Sequence, residues 1–347
     1  MAVREAARAR RRAHLALFDA TTLTAKALEE ELVARSFPIA SVRLFTSESD
    51  PDHNLTEFAG EAMLVTEPDP DALGRLDIAF LCGGRREATR YLDWPGRKGF
   101  VAIDLTTASN AVAEVPIVNA SVNPEAIPVR PGLIAAPHPI SQMLSSLLAP
   151  IVRGCGLLEA QAVVFQPASD AGEEGIEELY RQTLGILNFQ DLPRAVFGRQ
   201  LAFNLIPSFL CEAGAAPGRT RPAELADEVL RITGGSHALS LEVVLAPVFH
   251  CHAVAAHLRL PPGTRRGDLL DSFKTVEQVR LGGPAEPATP VDRAGKVGIV
   301  LAGARPAAEA SSFWIWAVND DLKSGTAWNA VRIAESLLER GLGRSDA

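Results

Sequence analysis

The stretch best placed to do chemistry is Leu133-Ile-Ala-Ala-Pro-His-Pro-Ile-Ser-Gln-Met143, followed by a leucine-rich run to Leu148. Ile134 to Ala136 reads as the end of a buried strand, and Ser141 to Leu148 as the start of an apolar helix. Pro137 and Pro139 hold the tight connection between them. Such a turn is where a nucleophile is exposed, beside a helix N-terminus that stabilises developing negative charge. Here the turn carries Pro139, which has neither a nucleophile nor a backbone N–H. His138, His250 and His252 would suit zinc if they converged, but only Cys251 stands near them as a further ligand, so no metal site is expected. The four cysteines, Cys82, Cys155, Cys211 and Cys251, show no CxxC spacing and read as buried free thiols of a reducing compartment.

The elements that must position this turn follow from the pattern of apolar residues. His14–Phe18, Val42–Phe45, Ile78–Cys82, Phe100–Asp104 and Val115–Val118 are short apolar strands alternating with helical segments. This arrangement predicts a mostly parallel sheet covered on both faces. The first helix places Leu23, Ala27, Leu28, Leu32 and Val33 on one face. Beyond residue 138 the strands lengthen: Leu158–Gln166, Leu239–Phe249, Ala253–Leu258, Val297–Ala302 and Phe313–Val318 predict a largely antiparallel sheet. Helices are expected over Gly172–Leu187, over Ala223–Ile232 and from Asp321 onward, and Gly282–Ala294 reads as a Pro/Gly-rich loop.

A chain of 347 residues is too long for one ordinary core and points to two domains. Its 47% hydrophobic and 22% charged residues are those of a soluble globular protein. The net charge of −8 argues against nucleic acid or an anionic membrane as partner. Arg4, Arg8, Arg10, Arg11 and Arg12 form a basic N-terminal cluster, expected to be a leader or an upstream start rather than a functional arm. With no signal-peptide core and no membrane-length apolar run, a cytoplasmic location is expected.

Several segments together resemble aspartate-semialdehyde dehydrogenase, in family order from His14 to Leu342. They are Asp104-Leu-Thr-Thr-Ala108, Val115 to Glu125 ending in Val-Asn-Pro-Glu, and Phe165-Gln166 with Ser169, Ala171 and Gly172. Gln200 to Pro207 and Asp321 to Ala330 extend the match. Phe197-Gly-Arg-Gln-Leu-Ala-Phe-Asn204 and Ala246-Pro-Val-Phe-His-Cys-His252 are similar to the Usg-like proteins, paralogues with degraded active sites.

The resemblance implies an α/β plus α+β fold. A Rossmann-type, mostly parallel domain over 14–138 would be completed by a C-terminal helix over 321–343. A mixed or antiparallel dimerisation domain would span 139–320. It also implies a homodimer, with Leu239–Phe249 and Phe313–Val318 contributing, and leaves room for another protein as partner.

Carried over residue by residue, the family's thiolate falls at Pro139, and the asparagines before it at Ala136 and His138. The arginines that grip substrate fall at Asn110 and Leu245. The family's Glu and Lys are not recognisable around Pro222–Glu228, where Arg221 is the nearby cation, more in keeping with a solvated loop. Gln166 matches the substrate-orienting glutamine and His252 the histidine acid/base.

The family's three cofactor-loop glycines fall at Asp19, Thr22 and Ala25, with Thr21 beside them in the same degraded loop. Asp19 adds repulsive charge there, while Thr21, Thr22 and Thr24 suit a helix cap. The expectation is a non-catalytic homologue without cofactor, Gln166 and His252 being retained for their hydrogen bonds. The alternative is an oxidoreductase using NADP or NAD by a non-covalent route through His252.

Overall fold

The computed structural model describes residues 12–47, 55–211, 222–283 and 285–342. It divides into two compact units. The basic cluster from Arg4 to Arg11, and Arg221, lie outside the described residues, while Arg12 is exposed.

The first unit comprises the described residues within Met1–Ala120, Pro124–Ala136 and Ala327–Ala347. Its strands are β1 (Ala13–Phe18), β2 (Ile39–Phe45), β3 (Leu55–Phe58), β4 (Glu61–Thr66), β5 (Ile78–Leu81), β6 (Val101–Asp104) and β7 (Gly132–Ala135). They form one sheet in the order β3-β4-β2-β1-β5-β6-β7, parallel except for the β3–β4 hairpin. Helices α1 (Leu23–Ala34), α2 (Arg85–Ala88), α3 (Trp94–Lys98) and, after the second unit, the C-terminal helix Trp328–Glu339 belong to it. β1, β5 and β6 are buried almost throughout, as strands covered on both faces must be. Phe18 packs on Phe45 and Tyr91 at ring-centroid distances of 5.1 and 4.9 Å.

The second unit comprises Ser121–Asn123 and the described residues of Pro137–Thr326. Its strands are β8 (Glu159–Gln166), β9 (Ile206–Pro207), β10 (Ala238–Leu245), β11 (His252–Arg259), β12 (Val279–Leu281), β13 (Ile299–Pro306) and β14 (Ser312–Asn319). The order is β12-β13-β14-β11-β8-β10-β9, a mixed sheet with parallel β12–β13 and β8–β10 pairs. Its helices are α4 (Pro139–Cys155), α5 (Gly172–Leu187), α6 (Pro222–Thr233), α7 (Arg266–Asp271) and α8 (Pro290–Arg293), so the C-terminal helix is α9. Ile140, Met143, Leu144, Leu147 and Ile151 of α4 join one core with Val164 of β8, Val254 and Leu258 of β11, and Leu225 and Val229 of α6. That apolar face fixes α4 on the sheet, and with it the residues at its first turn.

Several expectations change in detail. Val115–Val118 makes only an isolated bridge, Ile117 to Ala135, because Pro116 has no N–H for a ladder. Val33 is 50% exposed, since α1 buries the stripe of Ala25, Ala27, Leu28 and Leu32 instead. β10 stops at Leu245, before Pro247, and residues 246–251 form a loop. The Gly282–Ala294 segment contains α8, and its Arg293 is buried. The C-terminal helix begins at Trp328, after a π-turn over Lys323–Ala327. The β3–β4 hairpin has no signal in the sequence: its turn places Ala59 at φ 53° and Gly60 at φ 82°, and alanine is not a residue that announces such a turn.

Candidate functional site

In the first unit the β1–α1 turn is filled by its own side chains. Asp19 sits at φ 58° and is buried, its Oδ1 accepting from Ser47 N at 2.8 Å and Ser47 Oγ at 2.6 Å. Its carboxylate presses against Gly83, where a Cβ would lie 2.0 Å from Oδ2. Thr22 is the N-cap of α1: its Oγ1 accepts from Ala25 N at 3.3 Å and also lies 3.0 Å from the Cys82 carbonyl, to which it donates. Thr21 is exposed and Ala25 buried. An anionic pyrophosphate needs open backbone N–H groups and no competing charge. At this turn a buried carboxylate and a threonine cap stand in their place.

Asn110 follows a loop wrapped on Asp104, whose two carboxylate oxygens accept from the N–H and Oγ groups of Thr106 and Ser109. Asn110 is buried, and its Nδ2 lies 3.5 Å from the Ala136 carbonyl. Neither it nor Leu245 offers a cation. Leu245 ends β10, packed against the cluster of Ala168, Phe197, Leu201 and Ile206.

In the second unit four polar side chains converge. His252, the first residue of β11, is fully buried, and its Nε2 lies 3.4 Å from Asp170 Oδ1. His138 Nε2 lies 3.6 Å from Asp170 Oδ2. Gln166, the last residue of β8, donates through Nε2 to the same Oδ2. One carboxylate is therefore shared by two imidazoles and an amide, with the imidazole centroids 6.4 Å apart. Burial works against ionisation of Asp170, but His138 and then His252 outweigh it and hold this carboxyl far below the usual carboxylate range.

A second carboxylate closes the arrangement. Asp321 accepts from Ser169 Oγ at 2.7 Å and from Cys251 N at 3.0 Å. Its burial, with Asp320 adding to the effect, raises its pKa against the pull of His252. Glu228 of α6, the stretch in which no family residue is recognisable, accepts from His138 N at 3.0 Å. Burial, and then Asp320 and Asp321, push the Cys251 thiol well above its ordinary pKa, so it supplies no thiolate here. Across the ladder from His252 stands Asn319, also fully buried.

Pro139 opens α4 beside this centre. A Cβ on Gly325 would lie 2.8 Å from Pro139 Cβ, so only glycine lets the π-turn approach so closely. Among the described residues no group of three or more His, Cys, Asp or Glu could hold a metal ion. His250 is only partly buried, in the loop before β11.

The structure thus brings together Gln166, His252, His138 and Pro139 in one unit. Asp170, Asp321 and Glu228 are the members that sequence reasoning missed. Asp170 and Asp321 lie inside segments that carry the family resemblance, which was the available signal; Glu228 had none.

Residues 15–129 match the semialdehyde dehydrogenase NAD binding domain, and residues 148–322 the semialdehyde dehydrogenase dimerisation domain. The chain is 28% identical over 331 residues to aspartate-semialdehyde dehydrogenase 2 of Vibrio cholerae, covering 94% of this chain and 97% of that one. It is equally 28% identical over 345 residues to a USG-1 protein homolog of Pseudomonas aeruginosa, covering 95% and 98%. A crystal structure of the Vibrio cholerae aspartate semialdehyde dehydrogenase II, complexed with ASA, superposes with a TM-score of 0.85 at 28% identity, over 95% of this chain and 99% of that one. With both of its domains matched in order, the chain belongs to the semialdehyde dehydrogenase family.

Proposed function

We propose that this protein is a member of the family that does not carry out the thiol-dependent dehydrogenase reaction. The observation that carries this reading is Pro139 at the first turn of α4, next to the paired histidines and Gln166. The thiol-dependent reaction forms its covalent acyl intermediate on a thiolate. Cys82 and Cys251 are buried, and burial raises the pKa of both thiols. Asn110 and Leu245 remove the cationic grip on an anionic substrate. The filled β1–α1 turn argues in the same direction for the nucleotide.

The test is a thermal shift with NADP and with NAD at millimolar concentration, paired with an assay of aspartate semialdehyde, NADP and phosphate. A ligand at 100 times its dissociation constant stabilises a protein by about 2.7 kcal/mol. No shift and no turnover are expected. A clear shift with turnover would overturn this reading and make a non-covalent oxidoreductase acting through His252 the leading alternative.

The same reading makes the protein a homodimer through the open face of the second sheet. That face carries Trp314, 42% exposed, and Val163, 36% exposed, together with His257, whose ring meets Trp314 tilted by 56° at a centroid distance of 5.2 Å. Large aromatics at the centre of an interface dominate its energy. Trp314→Arg is therefore expected to give a monomer by light scattering where the native chain gives a dimer. A native monomer at micromolar concentration would remove the claim.

A further inference from the structure

The first turn of α4 is closed by a group that changes its hydrogen-bonding character with one proton. Pro139 has no N–H, so Ile140 carries the first free donor of the helix. Ile140 N donates to His138 Nδ1 at 3.1 Å, and Gln142 N to the His138 carbonyl at 2.8 Å. An imidazole nitrogen accepts only while it bears no hydrogen, so this cap requires the neutral ring with its proton on Nε2. That proton then faces Asp170 Oδ2, 3.6 Å away. In the imidazolium both nitrogens are donors, and Nδ1–H would confront the Ile140 N–H.

We propose that His138 is a proton-operated cap: neutral, it holds the first turn of α4 closed beside Pro139; protonated, it surrenders the Ile140 bond and turns to the carboxylate of Asp170. The groups facing the ring come from every element around it. They are Asp170 after β8, Glu228 on α6, Asp321 after β14 and His252 on β11. Burial disfavours the imidazolium, but Asp170, then Glu228 and Asp321, outweigh it and move His138 upward from the ordinary histidine range. The device is independent of whether the protein turns over a substrate.

Hydrogen exchange of the Ile140 amide tests this, resolved by fragmentation mass spectrometry and corrected for the intrinsic pH dependence of exchange. Loss of one cap should lower protection about fivefold as the pH is taken down through the His138 titration. His138→Asn keeps an oxygen acceptor at the cap but cannot titrate, so its Ile140 protection should show no step. Asp170→Asn removes the main partner of the imidazolium, so the step should move to lower pH. A flat profile in the native protein, or a step that survives in His138→Asn, would overturn the proposal. If His138→Asn does not fold, the native profile and the Asp170→Asn displacement decide it.

Discussion

Asp170→Asn should lose about 3 kcal/mol of unfolding free energy between roughly pH 4 and 6.5, because it removes one partner of a buried charged cluster. The pH window follows from the two shifts. Asp170 is held below its ordinary value, so its contribution is present above the unfolded carboxylate pKa and lost as pH falls through the folded one. His138 is raised, so its contribution is full below the unfolded imidazole pKa and lost as pH rises through the folded one. Both hold only between the two unfolded values, and there the deficit of the variant should be greatest. Above the His138 titration the loss should shrink to about 1 kcal/mol, the difference between a charge-assisted and a neutral hydrogen bond, because the amide of Asp170→Asn still accepts from Gln166 Nε2. Denaturant unfolding of both proteins across this range checks it. A deficit that does not vary with pH would show that Asp170 acts through neutral hydrogen bonds alone.

Pro139→Cys should create one fast-reacting thiol without creating a dehydrogenase. A cysteine at the first position of α4 meets the positive end of the helix, and His138 and His252 stand beside the same centre, conditions that lower a thiol pKa. The Asp170 carboxylate opposes them, so the depression should be moderate. Alkylation by iodoacetamide at pH 7 should be about tenfold faster than at Cys82 or Cys251, which are buried and whose thiols are raised. Turnover of aspartate semialdehyde should stay undetected, since Asn110 and Leu245 still provide no cation. Restored turnover would mean that Pro139 alone separates this protein from the dehydrogenase reaction. An inert thiol would mean that the first turn of α4 is closed to reagents.

The order of elements was largely legible because it rests on local pattern. The helix Gly172–Leu187 has the same bounds in sequence and structure, its apolar period being uninterrupted between Gly172 and Asn188. The strand Val115–Val118 was misread because apolar composition alone does not provide a ladder partner, and Pro116 cannot donate to one. The hairpin at Ala59-Gly60 was invisible because the chain adopts φ above zero at an alanine, a cost met by pairing β3 with β4.

The site divides along the same line. Residue types alone determined that Pro139, Asn110 and Leu245 carry neither thiol nor cation and that position 19 is an aspartate. These are chemical facts about side chains and need no coordinates. What remains there was decided by tertiary structure. His138, Asp170, Glu228, His252 and Asp321 come from separate segments, and only the packing of α4 and α6 on β8, β11 and β14 brings them within reach of one another. The shifts of His138, Asp170 and Asp321 follow from burial and mutual distance, which no spacing in the chain encodes.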